Sequence, residues 1–358
     1  MVHLHHRVHR RVVGAKLAHT AASRRRLRHF WTSPTWFGDP SAGDDIAGED
    51  PVIRQAALGA LGNLNGSVVV LDQNTGRILS IVNQKLALSE AFTPCSTFKP
   101  VVATAALREG IISPETRIRA EGRFMDYFGT TRINVMQALA ESSNTFFARL
   151  GEMLGFHRVT EYAHEFGLGE RAGLDIPGES AGLFPLAPPR EGGVGLLTSF
   201  GQDIEMTPLQ LAAIVSAIAN GGTLYYLQYP RTPDAIAGFE PRVRRQLDGL
   251  SPYLEDVKRG MAAVVQMGTG KLAFTPDEQI LGKTGTCSEN GTHLRWFASF
   301  SNEPKVNRVV VVLLRGEGSM FGLHAPEVAG KVYRDLIEKE RAGTQARTLV
   351  PAILPVGP

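Results

Sequence analysis

The stretch Thr93-Pro94-Cys95-Ser96-Thr97-Phe98-Lys99-Pro100 decides how the rest of the chain is interpreted. Ser96 and Lys99 stand three residues apart, just before an apolar run over 101–107 that favours a helix. Residues three apart share one face of a helix, so the hydroxyl and the amine can meet. Serine needs a neighbouring base to act as a nucleophile, and a lysine buried beside another cation can be that base. A helix start with a capping serine and a surface lysine gives the same pattern, so this stretch alone identifies no site.

Two later stretches change that interpretation. Ser-Ser-Asn at 142–144 follows a helical run over 133–140, and Lys-Thr-Gly at 283–285 precedes three strand-like runs. Each triplet alone is equally compatible with a helix end or a turn. In the order Ser-x-x-Lys, Ser-x-Asn and Lys-Thr-Gly, the three form the motif set of active-site-serine penicillin-recognising enzymes. On these motifs the chain resembles the transpeptidase domain of class B penicillin-binding proteins, over roughly residues 60–340.

The resemblance implies a role for each residue of the three motifs. Ser96 would be the nucleophile and Lys99 its base. Ser142 would relay protons between the lysines and the leaving amine, and Asn144 would bind the acyl-side amide of the substrate. Lys283 would supply positive charge for the terminal carboxylate of the substrate, and its charge would lower the pKa of Lys99.

The Lys-Thr-Gly strand is expected to hold the substrate. By resemblance, Thr284 and Thr286 would donate hydroxyl hydrogen bonds, and Gly285 would allow close backbone approach where a substrate pairs as an added strand. The backbone N–H groups of Ser96 and Thr286 would form an oxyanion hole, each donor stabilising the transition state by roughly 3 kcal/mol. On the next strand, we expect His293, Arg295 and Trp296 to rim the cleft, with core packing the simpler prediction for Trp296. No metal ion and no organic cofactor is expected.

The function implied by the resemblance is that of a peptidoglycan D,D-transpeptidase. The D-alanyl-D-alanine end of a stem peptide would acylate Ser96, D-alanine would leave, and an amine on a neighbouring strand would accept the acyl group. β-Lactam antibiotics would acylate the same serine. A D,D-carboxypeptidase, which uses water as the acceptor, has the same motifs and stays open.

Two further classes are alternatives. A serine β-lactamase must deacylate quickly, and the Glu-x-x-Leu-Asn string that serves this in class A enzymes is absent between Asn144 and Lys283. A non-catalytic β-lactam-sensing domain would stay acylated and would need a transmembrane signalling partner. We therefore prefer the transpeptidase.

The chain has two cysteines, Cys95 and Cys287, and both flank the motifs. In the fold implied by the resemblance, the Lys-Thr-Gly strand runs alongside the start of the Ser96 helix, so the two sulfur atoms are expected to lie close together. A similar pairing is found in some class A carbapenem-hydrolysing β-lactamases. We predict a disulfide, the alternative being two buried free thiols in a reducing compartment.

Strand and helix patterns predict an α+β fold. The runs 67–72 and 77–82 flank Gln-Asn-Thr-Gly and predict a β-hairpin. Later strands are predicted over 278–287, 293–301 and 308–314, and helices over 158–166, 208–219, 251–267 and 325–340, with an irregular loop over 223–251. The helix at 251 is predicted to be capped by Ser251. Strands near both chain ends with helices between them indicate α+β. The resemblance implies a five-stranded antiparallel sheet sandwiched by helices, with a helical subdomain.

Charge separates an amino-terminal arm from the body. Residues 1–30 contain eight Lys or Arg and no acid, which leaves 30 basic and 35 acidic residues in the remainder. The body shows no basic patch, so no nucleic-acid partner is expected. We predict a disordered basic arm and acidic linker over 1–50, the transpeptidase domain over 51–342, and a tail over 343–358.

Export and anchoring are not evident in the sequence. No apolar run reaches the roughly 20 residues that span a bilayer, and the amino terminus lacks the apolar segment of a signal peptide. The resemblance nevertheless implies work in the cell envelope, on the periplasmic or extracytoplasmic side. Membrane association by other means, oligomeric state, and partners in division or elongation stay open.

Overall fold

The computed structural model describes residues 38–120, 132–289, 291–303, 306–316 and 324–348, with side chains described as far as residue 342. The α-helices are Pro51–Leu61, Gln84–Leu88, Lys99–Arg108, Val135–Glu141, Asn144–Glu165, Gly193–Phe200, Pro208–Ala219, Pro233–Ala237, Ser251–Gln266 and Ala325–Thr348. Short 3-10 helices cover Cys95–Phe98 and Lys271–Ala273. The strands are β1 Gly66–Asp72, β2 Ile78–Val82, β3 Ile118–Arg119, β4 Arg132–Ile133, β5 Thr223–Tyr225, β6 Val243–Gln246, β7 Ile280–Glu289, β8 Thr292–Ser301 and β9 Arg308–Gly316.

A five-stranded antiparallel sheet forms the centre of the fold, in the order β2-β1-β9-β8-β7. β1 and β2 form the predicted hairpin. β9 pairs with β1 on one side and β8 on the other, so strands from the two ends of the chain meet at the middle of the sheet. The predicted α+β class and antiparallel sheet are confirmed. β7, which carries the Lys-Thr-Gly motif, pairs only with β8 and lies at the edge.

Hydrophobic cores cover both faces of this sheet. Val310 belongs to a core that includes residues of the helices Pro51–Leu61 and Ala325–Thr348. Its neighbour Val311 points to the other face and joins a core with residues of Lys99–Arg108 and Pro208–Ala219. Side chains alternate between the faces of a strand, so an unbroken apolar run fits only a strand covered on both sides. This is the burial predicted for the run in β9.

Several predicted helix boundaries are wrong. The helix predicted over 158–166 is part of Asn144–Glu165, which is interrupted only at Gly155, where φ is +77°. Ser251 is the first residue of its helix rather than the cap, because Leu250 occupies that position and makes no side-chain bond. The last helix continues to Thr348, past the domain boundary predicted at 342.

The segment 223–251, predicted to be irregular, contains ordered elements. β5 and β6 pair with each other, and the helix Pro233–Ala237 lies between them. Arg244 forms an ion pair with Glu170, and Arg245 donates to the backbone carbonyl of Glu165 at 2.9 Å. The basic run of this segment is therefore tied to the helical part of the fold. Strands of three and four residues are too short for a visible alternation of apolar residues.

Residues 38–50 are also ordered, which corrects the predicted linker for this part. Asp44 forms a buried ion pair with Arg54 at 2.8 Å. Glu49 accepts hydrogen bonds from Ser80 Oγ at 2.8 Å and from the backbone N–H of Ile81 at 3.0 Å. The acidic residues thus attach this segment to edge strand β2. Residues 1–37 of the arm and linker predicted over 1–50 lie outside the described residues. Among the helices described, none is both long and apolar enough to cross a membrane.

Candidate active site

The three motifs meet in a cleft beside the edge strand β7. The first occupies the 3-10 turn Cys95–Phe98 and the start of the following helix, and the third lies within β7. The cleft has a volume of about 290 Å³. It is lined by Ser96, Ser142, Asn144, Phe200, Thr269, Leu272, Thr284, Thr286, Arg295, Trp296, His324, Ala325 and Pro326.

The second motif lies at the junction of two helices. Ser142 follows the helix Val135–Glu141 in the left-handed conformation, with φ of +59°. The side chain of Ser143 then caps the next helix by accepting a hydrogen bond from the N–H of Phe146 at 3.3 Å. A residue other than glycine is uncommon in this conformation, so the surrounding structure must hold it there. The reversal of the chain brings both Ser142 and Asn144 to the cleft.

Lys99 is fully buried, and polar atoms of the second motif surround its amine. Lys99 Nζ donates to Asn144 Oδ1 at 2.6 Å, to the carbonyl of Ser142 at 2.7 Å and to Ser142 Oγ at 3.3 Å. Burial and the neighbouring charge of Lys283 hold the pKa of Lys99 well below its usual range. The neutral amine that a general base requires is therefore available at a lower pH than on a surface lysine.

Lys283 is the second buried lysine of the site. Its Nζ donates to Ser142 Oγ at 2.8 Å and to the carbonyl of Thr284 at 2.9 Å. Burial lowers the pKa of Lys283 to about 7. Ser142 Oγ thus bridges the two amines, and a proton can move between them through one hydroxyl. Lys283 itself is absent from the described residues that line the cleft.

Ser96 lies beside this network at the start of its helix and is 8% exposed. Among the described residues, its hydroxyl has no hydrogen-bond partner, including Lys99. Hydrogen bonds to a catalytic base are often long in the absence of substrate and tighten when substrate binds. The Ser96 hydroxyl oxygen is therefore free to approach the carbonyl carbon of a reacting group, and the two buried lysines lie nearby.

The Lys-Thr-Gly strand packs directly against the turn that carries Ser96. A Cβ atom at Gly285 would lie 2.9 Å from the carbonyl oxygen of Pro94 and 3.0 Å from Thr97 Cγ2, so only glycine fits without movement. Cys95 and Cys287 are joined by a disulfide, with their Cα atoms 5.8 Å apart. Gly285 thus allows a close approach of β7 to the protein's own turn, and its role in pairing with a substrate stays a prediction.

A match to a known family accounts for this geometry. A family model described as penicillin binding protein transpeptidase domain matches residues 66–338. The chain belongs to this family. The resemblance drawn from the three motifs is thereby confirmed.

Named relatives of this transpeptidase-domain protein come from several bacteria. Stage V sporulation protein D of Bacillus subtilis is 30% identical over 284 residues, which cover 72% of this chain and 44% of that protein. Peptidoglycan D,D-transpeptidase MrdA of Acinetobacter baumannii is 29% identical over 305 residues, covering 69% and 45%. The chain spans less than half the length of these two curated relatives.

Solved transpeptidase structures share the fold. The apo transpeptidase domain of Burkholderia pseudomallei penicillin-binding protein 3 matches with a TM-score of 0.67 at 22% identity, covering 86% of this chain and 98% of that one. Penicillin-binding protein 3 of Mycobacterium tuberculosis, complexed with aztreonam, matches with a TM-score of 0.64 at 26% identity, covering 81% and 76%.

The remaining predicted residues of this transpeptidase domain lie on β7 and β8. Thr284 and Thr286 line the cleft, and Thr284 Oγ1 lies 2.5 Å from Thr269 Oγ1. Trp296 is buried, and its Nε1 donates to the carbonyl of Thr93 at 3.0 Å, so it supports the turn before the nucleophile. Among the described residues, His293 bonds to Ser288 Oγ at 2.7 Å and does not line the cleft.

Sequence reasoning missed Thr269 and Phe200, which both line the cleft. Thr269 stands in a Gly-Thr-Gly turn after the helix Ser251–Gln266, and its N–H donates to the carbonyl of Ala140 at 3.1 Å. That turn directly after a predicted helix was a usable signal. Phe200 ends a helix remote in sequence from the motifs, and only the tertiary fold brings it to the cleft.

Proposed function

We propose that this chain is a peptidoglycan D,D-transpeptidase domain that forms an acyl-enzyme on Ser96. The observation that carries the proposal is the pair of buried lysines joined through Ser142 Oγ, beside a serine with a free hydroxyl. Acyl transfer requires a nucleophile, a base that is neutral at working pH, and a proton route to the leaving group. Lys99 would supply the base, and Ser142 would supply the proton route.

Acylation would proceed by attack of Ser96 Oγ on the carbonyl carbon between the two D-alanines. An Oγ–C bond forms, and the hydroxyl proton passes to neutral Lys99 Nζ. Backbone N–H groups of Ser96 and Thr286 would hold the oxyanion, each stabilising it by roughly 3 kcal/mol. The C–N bond then breaks, and the departing D-alanine nitrogen takes a proton from Ser142 Oγ, which Lys99 replaces.

Transfer to the acceptor would use the same groups in reverse. An amine of a second stem peptide attacks the acyl ester and gives its proton to the network of Lys99 and Ser142. The ester C–O bond breaks, and Ser96 Oγ recovers a proton. Asn144 Oδ1, which accepts from Lys99 Nζ, would hold the lysine while its amide nitrogen faces the acyl chain.

The finer assignments are proposals of the same kind. We place the protein on the extracytoplasmic side of the membrane in the cell envelope, with stem peptides as substrates and β-lactams as inhibitors. Relatives named as peptidoglycan D,D-transpeptidases support this placement and this substrate class. A D,D-carboxypeptidase shares every residue of this mechanism and differs only in the acceptor.

A donor–acceptor assay tests the proposal. A stem peptide ending in D-Ala-D-Ala is incubated with the protein and an acceptor amine, and products are followed by liquid chromatography and mass spectrometry. We expect D-alanine release together with a peptide-linked product, both absent with Ser96→Ala. Release of D-alanine with only the hydrolysed peptide would make the protein a carboxypeptidase. Absence of D-alanine release from the unaltered protein would contradict the proposed function.

A further inference from the structure

A carboxylate in the cleft has a basic residue to bind besides Lys283. Lys283 is fully buried, and its amine bonds to Ser142 Oγ and to the carbonyl of Thr284. Among the described residues that line the cleft, Arg295 is the only lysine or arginine. A carboxylate entering the cleft would therefore meet the guanidinium of Arg295 directly, at the cleft surface.

Arg295 is placed on the same side of the sheet edge as the two threonines of the third motif. It lies on β8 directly opposite Thr286 in the antiparallel register. Side chains of directly opposite residues share a face, and so do those two residues apart on one strand. Thr284, Thr286 and Arg295 therefore present two hydroxyls and one guanidinium to a single part of the cleft, which all three line.

The Arg295 side chain is half-buried, and one of its nitrogen atoms has no partner. Its Nε is buried without a hydrogen-bond partner in the part of the chain that the structure describes. Burial lowers the pKa of Arg295, and no carboxylate among the described residues offsets that loss of hydration. By contrast, Arg244, also partly buried, has an ion-pair partner in Glu170. A guanidinium that is partly desolvated and lacks an acidic partner is one that gains from a ligand carboxylate.

We propose that Arg295, together with the hydroxyls of Thr284 and Thr286, binds the terminal carboxylate of the acyl donor. Arg295 is thus a specificity-determining residue of the cleft, in addition to the charge that Lys283 is expected to supply from behind Ser142. The planar fork of a guanidinium suits two-point binding of a carboxylate, which orients the donor peptide as well as attracting it. This inference rests on the proposed function and names the group that recognises the donor's free acid end.

A pair of β-lactams tests the inference, because one carries the carboxylate and the other does not. Benzylpenicillin and its methyl ester are each reacted with the unaltered protein, Arg295→Gln and Arg295→Lys, and the rate of adduct formation is followed by intact-mass spectrometry. Arg259→Gln is the matched control, since Arg259 is exposed and pairs with Asp256. Thermal unfolding of each variant verifies that it is folded.

We expect Arg295→Gln to slow acylation by benzylpenicillin roughly 10- to 100-fold and to leave the ester almost unaffected, because a hydrogen bond to a charged group contributes about that much. The rate of acylation of Arg295→Lys by benzylpenicillin should lie between those of Arg295→Gln and the unaltered protein, since lysine keeps the charge but not the planar fork. Equal rates for Arg295→Gln and the unaltered protein with benzylpenicillin would overturn the inference, as would equal slowing of both compounds. If the unaltered protein forms no adduct with either compound, the proposed function fails, and the role of Arg295 with it.

Discussion

At the scale of single residues, the proposed mechanism uses two lysines that cannot easily both carry charge. They share one hydroxyl, Ser142 Oγ, which lies 3.3 Å from Lys99 Nζ and 2.8 Å from Lys283 Nζ. Burial disfavours the ammonium form of each, and the charge of Lys283 further disfavours it on Lys99. The pKa of the base is therefore set by its neighbour as well as by burial.

Replacing Lys283 should move the pH dependence of acylation. A nearby positive charge lowers the pKa of Lys99, so Lys283→Met should raise that pKa and shift the rising limb of the pH–rate profile to higher pH. The maximal rate should also fall, because Ser142 loses a partner. The rate of acylation by penicillin, measured from pH 5 to 10 at intervals of about half a pH unit, checks this. Lys331→Met, on the surface, should leave the profile unchanged. If the rising limb of the profile does not move in Lys283→Met, the charge of Lys283 does not set the pKa of Lys99.

At the scale of elements, the site is the contact between an edge strand and a 3-10 turn. β7 lies against Cys95–Phe98 with no room for a Cβ atom at Gly285. The Cys95–Cys287 disulfide joins the same two elements. The position of the nucleophile relative to the strand is therefore fixed both by close packing and by a covalent link.

Substitution of Gly285 by alanine should be costly. The added methyl would lie 2.9 Å from the carbonyl of Pro94, so the turn or the strand must move, at a cost of roughly 1–3 kcal/mol. We expect a lower free energy of unfolding in denaturant and slower acylation of Ser96. Gly59→Ala is the control, because that glycine lies at an exposed position of a helix with nothing near its Cβ position, and it should be neutral or stabilising by about 0.5–1 kcal/mol. Unchanged stability and acylation in Gly285→Ala would contradict the packing argument.

Removal of the disulfide should destabilise the domain. The two cysteines are 192 residues apart in sequence, and closing so long a loop stabilises by roughly 5 kcal/mol in the chain-entropy model. Cys287→Ser is therefore expected to lower the melting temperature by several degrees, and mild reduction of the unaltered protein should lower it similarly. Quantitative alkylation of both thiols in unreduced protein from an oxidising compartment would show that the link is absent.

At the scale of the whole molecule, the two edges of the sheet have different neighbours. The outer edge of β7 borders the cleft, whereas residues 44–50 contact β2 at the opposite edge. Glu49 is the centre of that contact, since it accepts from Ser80, Ile81 and Tyr229 and pairs with Arg54. Residues 44–50 are thus part of the folded domain.

Neutralising Glu49 should therefore lower stability. Glu49→Gln replaces one accepting oxygen by an NH₂ group, which then faces other hydrogen-bond donors. We expect the free energy of unfolding to fall by roughly 1–3 kcal/mol. Glu255→Gln makes the same change on the surface, where Glu255 pairs only with Lys258 among the described residues, and should cost under about 1 kcal/mol. Urea unfolding of both variants gives the comparison. Equal losses would show that residues 38–50 add little to the fold.

The sheet and the meeting of the three motifs could both be predicted from the sequence, for physical reasons. Strands of the central sheet have long apolar runs, such as that in β9, and the three motifs carry side chains that chemistry requires. Contacts between segments distant in the sequence produce no comparable pattern. The order of residues 38–50 depends on contacts with Arg54, Ser80 and Tyr229. The short strand pair β5–β6 likewise depends on the residues around it. The position of Arg295 at the cleft and the burial of Lys283 also follow only from the fold.

The central claim is that Ser96 is the nucleophile of a slow-deacylating acyl-transfer site. Time-resolved intact-mass spectrometry with benzylpenicillin, followed by peptide mapping, tests it most directly. We predict one covalent adduct, located on Ser96, which persists after excess drug is removed, is absent in Ser96→Ala and forms far more slowly in Lys99→Ala. An adduct that persists in Ser96→Ala, or rapid hydrolysis of the drug over many turnovers, would contradict the account.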